Sequence, residues 1–142
     1  MELTARDFER IPQRNLRIPV REFARLWLTA ERRDDAMNAA GEPEDAYLRG
    51  VCATCEWLGG VIIQVRGADG QSLSVFRPSP LTGLQSKAHE ELIAEETRAA
   101  ERTIADSVPS EPGFVHGALA TLMWAWRRSG MPPIDVERAQ AG

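Results

Sequence analysis

Phe23, Leu26, Trp27, Ala30 and Met37 recur at separations of three and four residues or their sum, with charged residues filling the gaps. That period draws one apolar stripe along a helix. Pro19 suits a first helical turn and Gly41 a stop, so an amphipathic helix is predicted between them.

The pattern changes in EPEDAYLRGVCATCEWLGG, residues 42–60. Pro43, Glu44 and Asp45 favour the positive end of a helix dipole, and Gly59 with Gly60 favours its end. The residues between are apolar nearly all round, which predicts a helix buried on every side.

VIIQVRGADGQSLSVF then shifts toward alternation, with Asp69-Gly70 as a turn signal, and predicts a β-hairpin over 61–77. A lone hairpin is marginal in water, so this one must lean on the helices or pair with another chain.

Thr82 followed by Gln85 matches a capping box. From there to about Asp106, Leu84, Ala88, Leu92, Ala99 and Thr103 form a narrow stripe flanked by Glu90, Glu91, Glu95 and Glu96. The expectation is a long, acidic, largely exposed helix. Pro109 and Pro112 precede GFVHGALATLMWAWRRSG, a second apolar helix ended by Gly130. At the other end, Thr4 and Asp7 predict a short helix from Ala5 to about Arg10 within an N-terminal arm, 1–18. The tail, 131–142, has too little apolar content to fold alone.

The two apolar helices read as copies of one another. Setting YLRGVCATCEW over FVHGALATLMW brings Gly50 to Gly117, Ala53 to Ala120, Thr54 to Thr121, Trp57 to Trp124 and Tyr47 to Phe114. In each copy the glycine, alanine, threonine and tryptophan share one helix face, and small residues let backbones approach. The eight residues are therefore expected at the core, where the two helices cross. The predicted fold is mainly α: one domain over 1–142, with helical hairpins over 19–58 and 82–129. These form a four-helix bundle-like arrangement with a small β-hairpin insert between the halves.

Composition agrees with a globular domain: 142 residues, 43% hydrophobic, 27% charged, net charge -4. The N-terminal residues are charged and no run reaches the ~18 apolar residues of a membrane span, so a cytoplasmic protein without membrane partner is expected. Its two cysteines are then reduced thiols.

Cys52 and Cys55 form a C-x-x-C frame, but they fall mid-helix at positions where the second copy has Leu119 and Leu122. Packing is the favoured reading, since a reactive thiol needs a cation, a helix N-terminus or exposure. A thiol redox or metal site at this pair is the weaker alternative, because zinc lacks further ligands at suitable spacing. His116 is expected to be a neutral, hydrogen-bonded residue, and His89 a solvated one. The four glutamates read as a solvated face rather than metal ligands. Phosphate-binding loops and hydrolase motifs are absent, and no cofactor is expected.

Arg10, Arg14, Arg17, Arg21 and Arg25 are interrupted by one acidic residue, Glu22. They are candidates for contact with an anion or a partner. Pairing with the acidic helix, where residues 86–106 carry six acidic against three basic residues, explains both features together. Trp27 and Trp126 are candidate interface anchors, with the core as the favoured place for each. The expected function is non-enzymatic: an accessory, adaptor or regulatory protein that binds another protein, compatible with a homodimer. A nucleic-acid-associated regulator using the arginines stands second, and the thiol or metal protein third.

Overall fold

A computed structural model describes residues 1–106 and 112–136. The chain is mainly helical, with one two-stranded antiparallel sheet. Its helices are α1 (Ala5–Glu9), α2 (Val20–Ala39), α3 (Ala46–Leu58), α4 (Glu90–Asp106) and α5 (Pro112–Ala125). Strands β1 (Ile62–Arg66) and β2 (Ser72–Phe76) lie between α3 and α4, and a short 3-10 turn, Gln13–Asn15, precedes α2.

Local chemistry fixes several of these boundaries. The Asp7 carboxylate accepts from the Thr4 backbone N–H at 2.8 Å and opens α1. Asp45 caps α3, its carboxylate accepting from the Leu48 N–H at 3.2 Å. Gly41, at φ +68°, follows α2 in the left-handed conformation that glycine adopts without a Cβ penalty.

The stripe predicted on α2 is the one that faces inward. Phe23, Leu26, Trp27 and Ala30 are fully buried, and Met37 packs against the core. Phe23 stacks on Trp124 with ring centroids 6.5 Å apart, and Trp27 meets Phe8 edge-on at 6.1 Å. Full burial of one such side chain contributes about 1.5–3 kcal/mol, so this aromatic cluster is a main anchor of α2. Asn15 joins distant segments, its side-chain amide donating to the carbonyls of Leu58 at 3.0 Å and Ala88 at 3.1 Å.

α3 is buried from Gly50 to Leu58, and its most extensive neighbour is α5. α2 packs on α3, and α4 packs on α5. The close approach of the central pair follows from two glycines. A Cβ on Gly50 would run into the carbonyl oxygen of Phe114, and one on Gly117 would run into that of Tyr47. Thr54 Oγ1 donates to the Gly50 carbonyl and Thr121 Oγ1 to that of Gly117, both at 2.8 Å. Ala53, Trp57 and Trp124 are buried, and Ala120 is half-buried.

The fourth helix departs from the sequence expectation. α4 starts at Glu90, eight residues after Thr82, so Thr82 and Gln85 form no capping box. The Thr82 N–H donates instead to the Glu96 carboxylate at 3.2 Å, and its hydroxyl lies 2.6 Å from that of Ser79. These bonds hold residues 79–84 in turns. Leu84 is half exposed, and Ala88 is buried ahead of the helix rather than on it. The buried face of α4 carries Ile93, Glu96, Thr97 and Ala100, so the stripe predicted through Leu92, Ala99 and Thr103 lies to one side. Glu96 is therefore not part of a solvated face, whereas Glu90, Glu91 and Glu95 are exposed.

Within the tail, Ile134 and Val136 pack against the core, and Tyr47 donates its hydroxyl to the Pro133 carbonyl at 2.8 Å. The rest of the predicted tail, 137–142, and the break at Pro109 lie outside the described residues. No helix among the described residues is long and apolar enough to cross a membrane.

Candidate functional site

The hairpin is the element least absorbed by the helical core. Its register pairs Ile62 with Phe76, Gln64 with Ser74 and Arg66 with Ser72 on one face, and Ile63 with Val75 and Val65 with Leu73 on the other. The turn is closed by the Gly67 N–H to the Gln71 carbonyl at 2.8 Å, and the foot by the Arg77 N–H to the Val61 carbonyl at 2.9 Å. Asp69 accepts from the Gln71 N–H, and Gly70 takes φ +81°, as the Asp-Gly signal predicts.

Residues with these bonds alternate along an antiparallel ladder. Positions 62, 64, 66, 72, 74 and 76 consequently aim their N–H and C=O groups away from the partner strand. The sheet has two strands, so both outer edges lack a strand neighbour among the described residues. Ile63 packs against the core, but Ile62 is 45% and Leu73 50% exposed. Gln64 bonds across the sheet to Ser74 and Ser72, which makes the middle of one face polar. Chemically this is a short, open sheet edge beside exposed aliphatic side chains.

Arg10, Arg14 and Arg17 on the arm and Arg21 and Arg25 on α2 are all exposed. Arg17 reaches the acidic helix, 3.4 Å from Glu90, and its guanidinium lies 4.0 Å over the Trp126 ring. Pairing between the two features is thus seen for Arg17. Arg14 lines an open groove of about 720 Å³ together with Asn15, Lys87 and His89 at the start of α4. Arg25 lines a second groove beside Trp124 and Pro132.

Trp27 is fully buried and donates its indole N–H to Glu31 at 3.2 Å, so it serves the core and cannot anchor an interface from there. Trp126 is half-buried beneath Arg17. His116 is exposed on α5, and His89 is exposed ahead of α4.

Cys52 and Cys55 are free and fully buried. Burial pushes both thiols up from their ordinary values, and the carboxylates of Glu31 and Glu56 push in the same direction. An activated thiolate needs the opposite environment. No group of three or more metal-ligating side chains comes together among the described residues.

Sequence reasoning missed the buried charges beneath these thiols. Glu31, Asp34 and Glu56 are nearly inaccessible. Asp34 pairs with Arg49 at 2.9 Å, and Glu56 pairs with Arg77 at 3.1 Å. A signal was present: positions 31 and 34 continue the stripe of Trp27 at i+4 and i+7, and position 56 belongs to the helix that is apolar on every side.

The chain matches no protein-family model, no curated protein and no solved structure.

Proposed function

We propose that the chain is a small non-enzymatic accessory protein that binds another protein by adding a strand to its hairpin. The observation that carries this reading is the pair of open sheet edges at β1 and β2, flanked by the half-exposed Leu73 and Ile62. An exposed edge offers a row of unpaired backbone groups, and addition of a partner strand uses them while side-chain pockets select the partner. The remainder of the chain is the support: helical hairpins α2–α3 and α4–α5 form a bundle as a degenerate repeat, and the glycine crossing makes it rigid. A second copy of this chain is one partner the edge would accept.

The test compares wild type with Gln64→Pro and Leu73→Glu. Proline removes one outward N–H at an edge position where it is tolerated, and the glutamate charges the exposed aliphatic face. Light scattering reports self-association, and mass spectrometry of the protein isolated from its own cell reports other partners. A dimer or a bound protein retained by wild type and lost from both folded variants is the expected result. A wild-type chain that is monomeric and isolates alone, or variants that keep the partner, would overturn the reading.

A second reading is a nucleic-acid-associated regulator. Arg14 beside Lys87 and His89 in an open groove favours it, because phosphate recognition uses clustered exposed cations. Glu90 and Glu91 line the same groove and oppose it. Gel mobility shift at low salt separates the two: absence of binding there ends this alternative.

A further inference from the structure

Residues 131–136, MPPIDV, form neither helix nor strand, yet two helices hold them. Arg33 on α2 donates to the Asp135 carbonyl at 2.6 Å, and Tyr47 on α3 donates to that of Pro133 at 2.8 Å. Both acceptors are main-chain atoms, which any peptide carries. Ile134 and Val136, the residues that alternate with them, pack against the core. Pro132 and Pro133 have no N–H, so they lie on the helices without burying an unpaired donor. Recognition of proline-containing peptides on folded surfaces uses these same elements: side-chain donors to carbonyls, apolar contacts at alternate residues and prolines that need no partner.

Two features mark this strap as a displaceable occupant. The chain reaches it through Arg128 at φ +51° and Gly130 at φ +83°, both left-handed. Glycine adopts that conformation freely, but for arginine it is strained, and lifting the strap away relieves the strain. A groove of about 330 Å³ also stays open beside the strap, bounded by Glu22, Arg25, Trp124, Pro132 and Val136. Space of that size is at the lower end of what ligand pockets offer, so a side chain longer than that of Val136 would find room against Trp124.

We propose that the surface beneath residues 131–136 is a docking groove for a proline-containing peptide of another protein, and that the chain's own strap closes it until such a peptide displaces it. The partner segment has the strap's chemistry: two adjacent prolines, then aliphatic residues at alternate positions, the last one larger than valine. Arg33 and Tyr47 clamp its carbonyls as they clamp those of Asp135 and Pro133, and Trp124 is the wall against which its last side chain rests. No residue of β1 or β2 contributes, so the groove stands whether or not the sheet edges add a strand.

The test uses the full wild-type chain, isotope-labelled for NMR, and three unlabelled synthetic peptides with blocked ends: MPPIDV, MPPIDL and the proline-free MSSIDV. A tethered strap competes at an effective concentration of about millimolar, so the titration runs to ~10 mM peptide. The expected result is that the amide signals of Ile134 and Val136 move to free-chain positions as MPPIDV takes the groove. One more methylene against Trp124 should bring the midpoint for MPPIDL ~4-fold lower, and MSSIDV should act only at higher concentration. Strap signals that stay in place, or that respond equally to MSSIDV, overturn the proposal. Equal midpoints for MPPIDV and MPPIDL overturn the placing of the last side chain against Trp124. Strap signals that move with protein concentration alone, with the mass doubling in light scattering, give the groove to a second copy and overturn a foreign partner.

Discussion

Gly50 and Gly117 each lie against a main-chain carbonyl of the opposite helix, Gly50 on Phe114 and Gly117 on Tyr47, in a reciprocal crossing. The obstacle to a larger residue is backbone in both places, which cannot swing aside as a side-chain tip can. The two threonines one turn further on match one another, each bonded within its own helix to the glycine carbonyl four residues earlier.

Gly50→Ala and Gly117→Ala should therefore destabilise the protein, although alanine is the better helix former by ~1 kcal/mol. Separating two packed helices costs about 1–3 kcal/mol and outweighs that gain. Because both substitutions force the same displacement, the double variant should lose less than the sum of the singles. Urea denaturation of the three variants measures this. Unchanged or raised midpoints in the single variants would contradict the crossing.

Asn15 offers a second test. Its amide is the donor for two buried carbonyls from segments far apart in the chain. Asn15→Ala leaves both acceptors without that donor, and each unsatisfied buried group costs about 1–3 kcal/mol. A loss of at least 2 kcal/mol in thermal or chemical unfolding is expected, with Asn15→Asp no better, because a carboxylate cannot donate.

Glu96 holds a loop through its charge. Its carboxylate accepts from the backbone N–H groups of Leu81 at 2.9 Å and Thr82 at 3.2 Å. Charge-assisted bonds of this kind contribute about 1.5–3 kcal/mol each. Glu96→Ala should raise hydrogen exchange at the amides of Leu81 and Thr82 first, while exchange in α3 follows only the global loss of stability. Uniform acceleration everywhere would mean that the loop is not held independently.

The thiols should be silent in the folded protein. Burial and neighbouring carboxylates both disfavour the thiolate of Cys52 and Cys55, so labelling by a thiol reagent should proceed at the rate of unfolding and accelerate with urea. Rapid labelling in native buffer would restore the redox reading of the C-x-x-C frame.

Much of the framework was legible from local pattern alone: the stripe on α2, the cap of α1, the glycine stop of α3, the Asp-Gly hairpin and the glycine positions where α3 meets α5. Such features depend on residues within a turn or two of each other. The start of α4 was not legible, because Thr82 and Gln85 satisfy a capping rule that Glu96, fourteen residues later, overrides by taking the Thr82 N–H. Glu96 itself reads as surface, since a charge in a run of glutamates carries no mark of the loop that folds over it. Glu31 and Glu56 escaped for a related reason: Glu31 opens a run of charged residues, 31–35, that reads as surface, Glu56 is a lone charge near the end of an apolar helix, and the segments that bury them lie far off in the chain.

The pairing of α3 with α5 also has a consequence for the birth of the molecule. α3 leaves the ribosome more than fifty residues before α5 is complete, and it carries apolar side chains on nearly every side. Until its mate arrives the nascent chain must keep that rod from sticking to other nascent chains, and α2 covers one flank only. Overexpression should therefore tax the chaperones of the host during synthesis, well before any question of the finished fold arises.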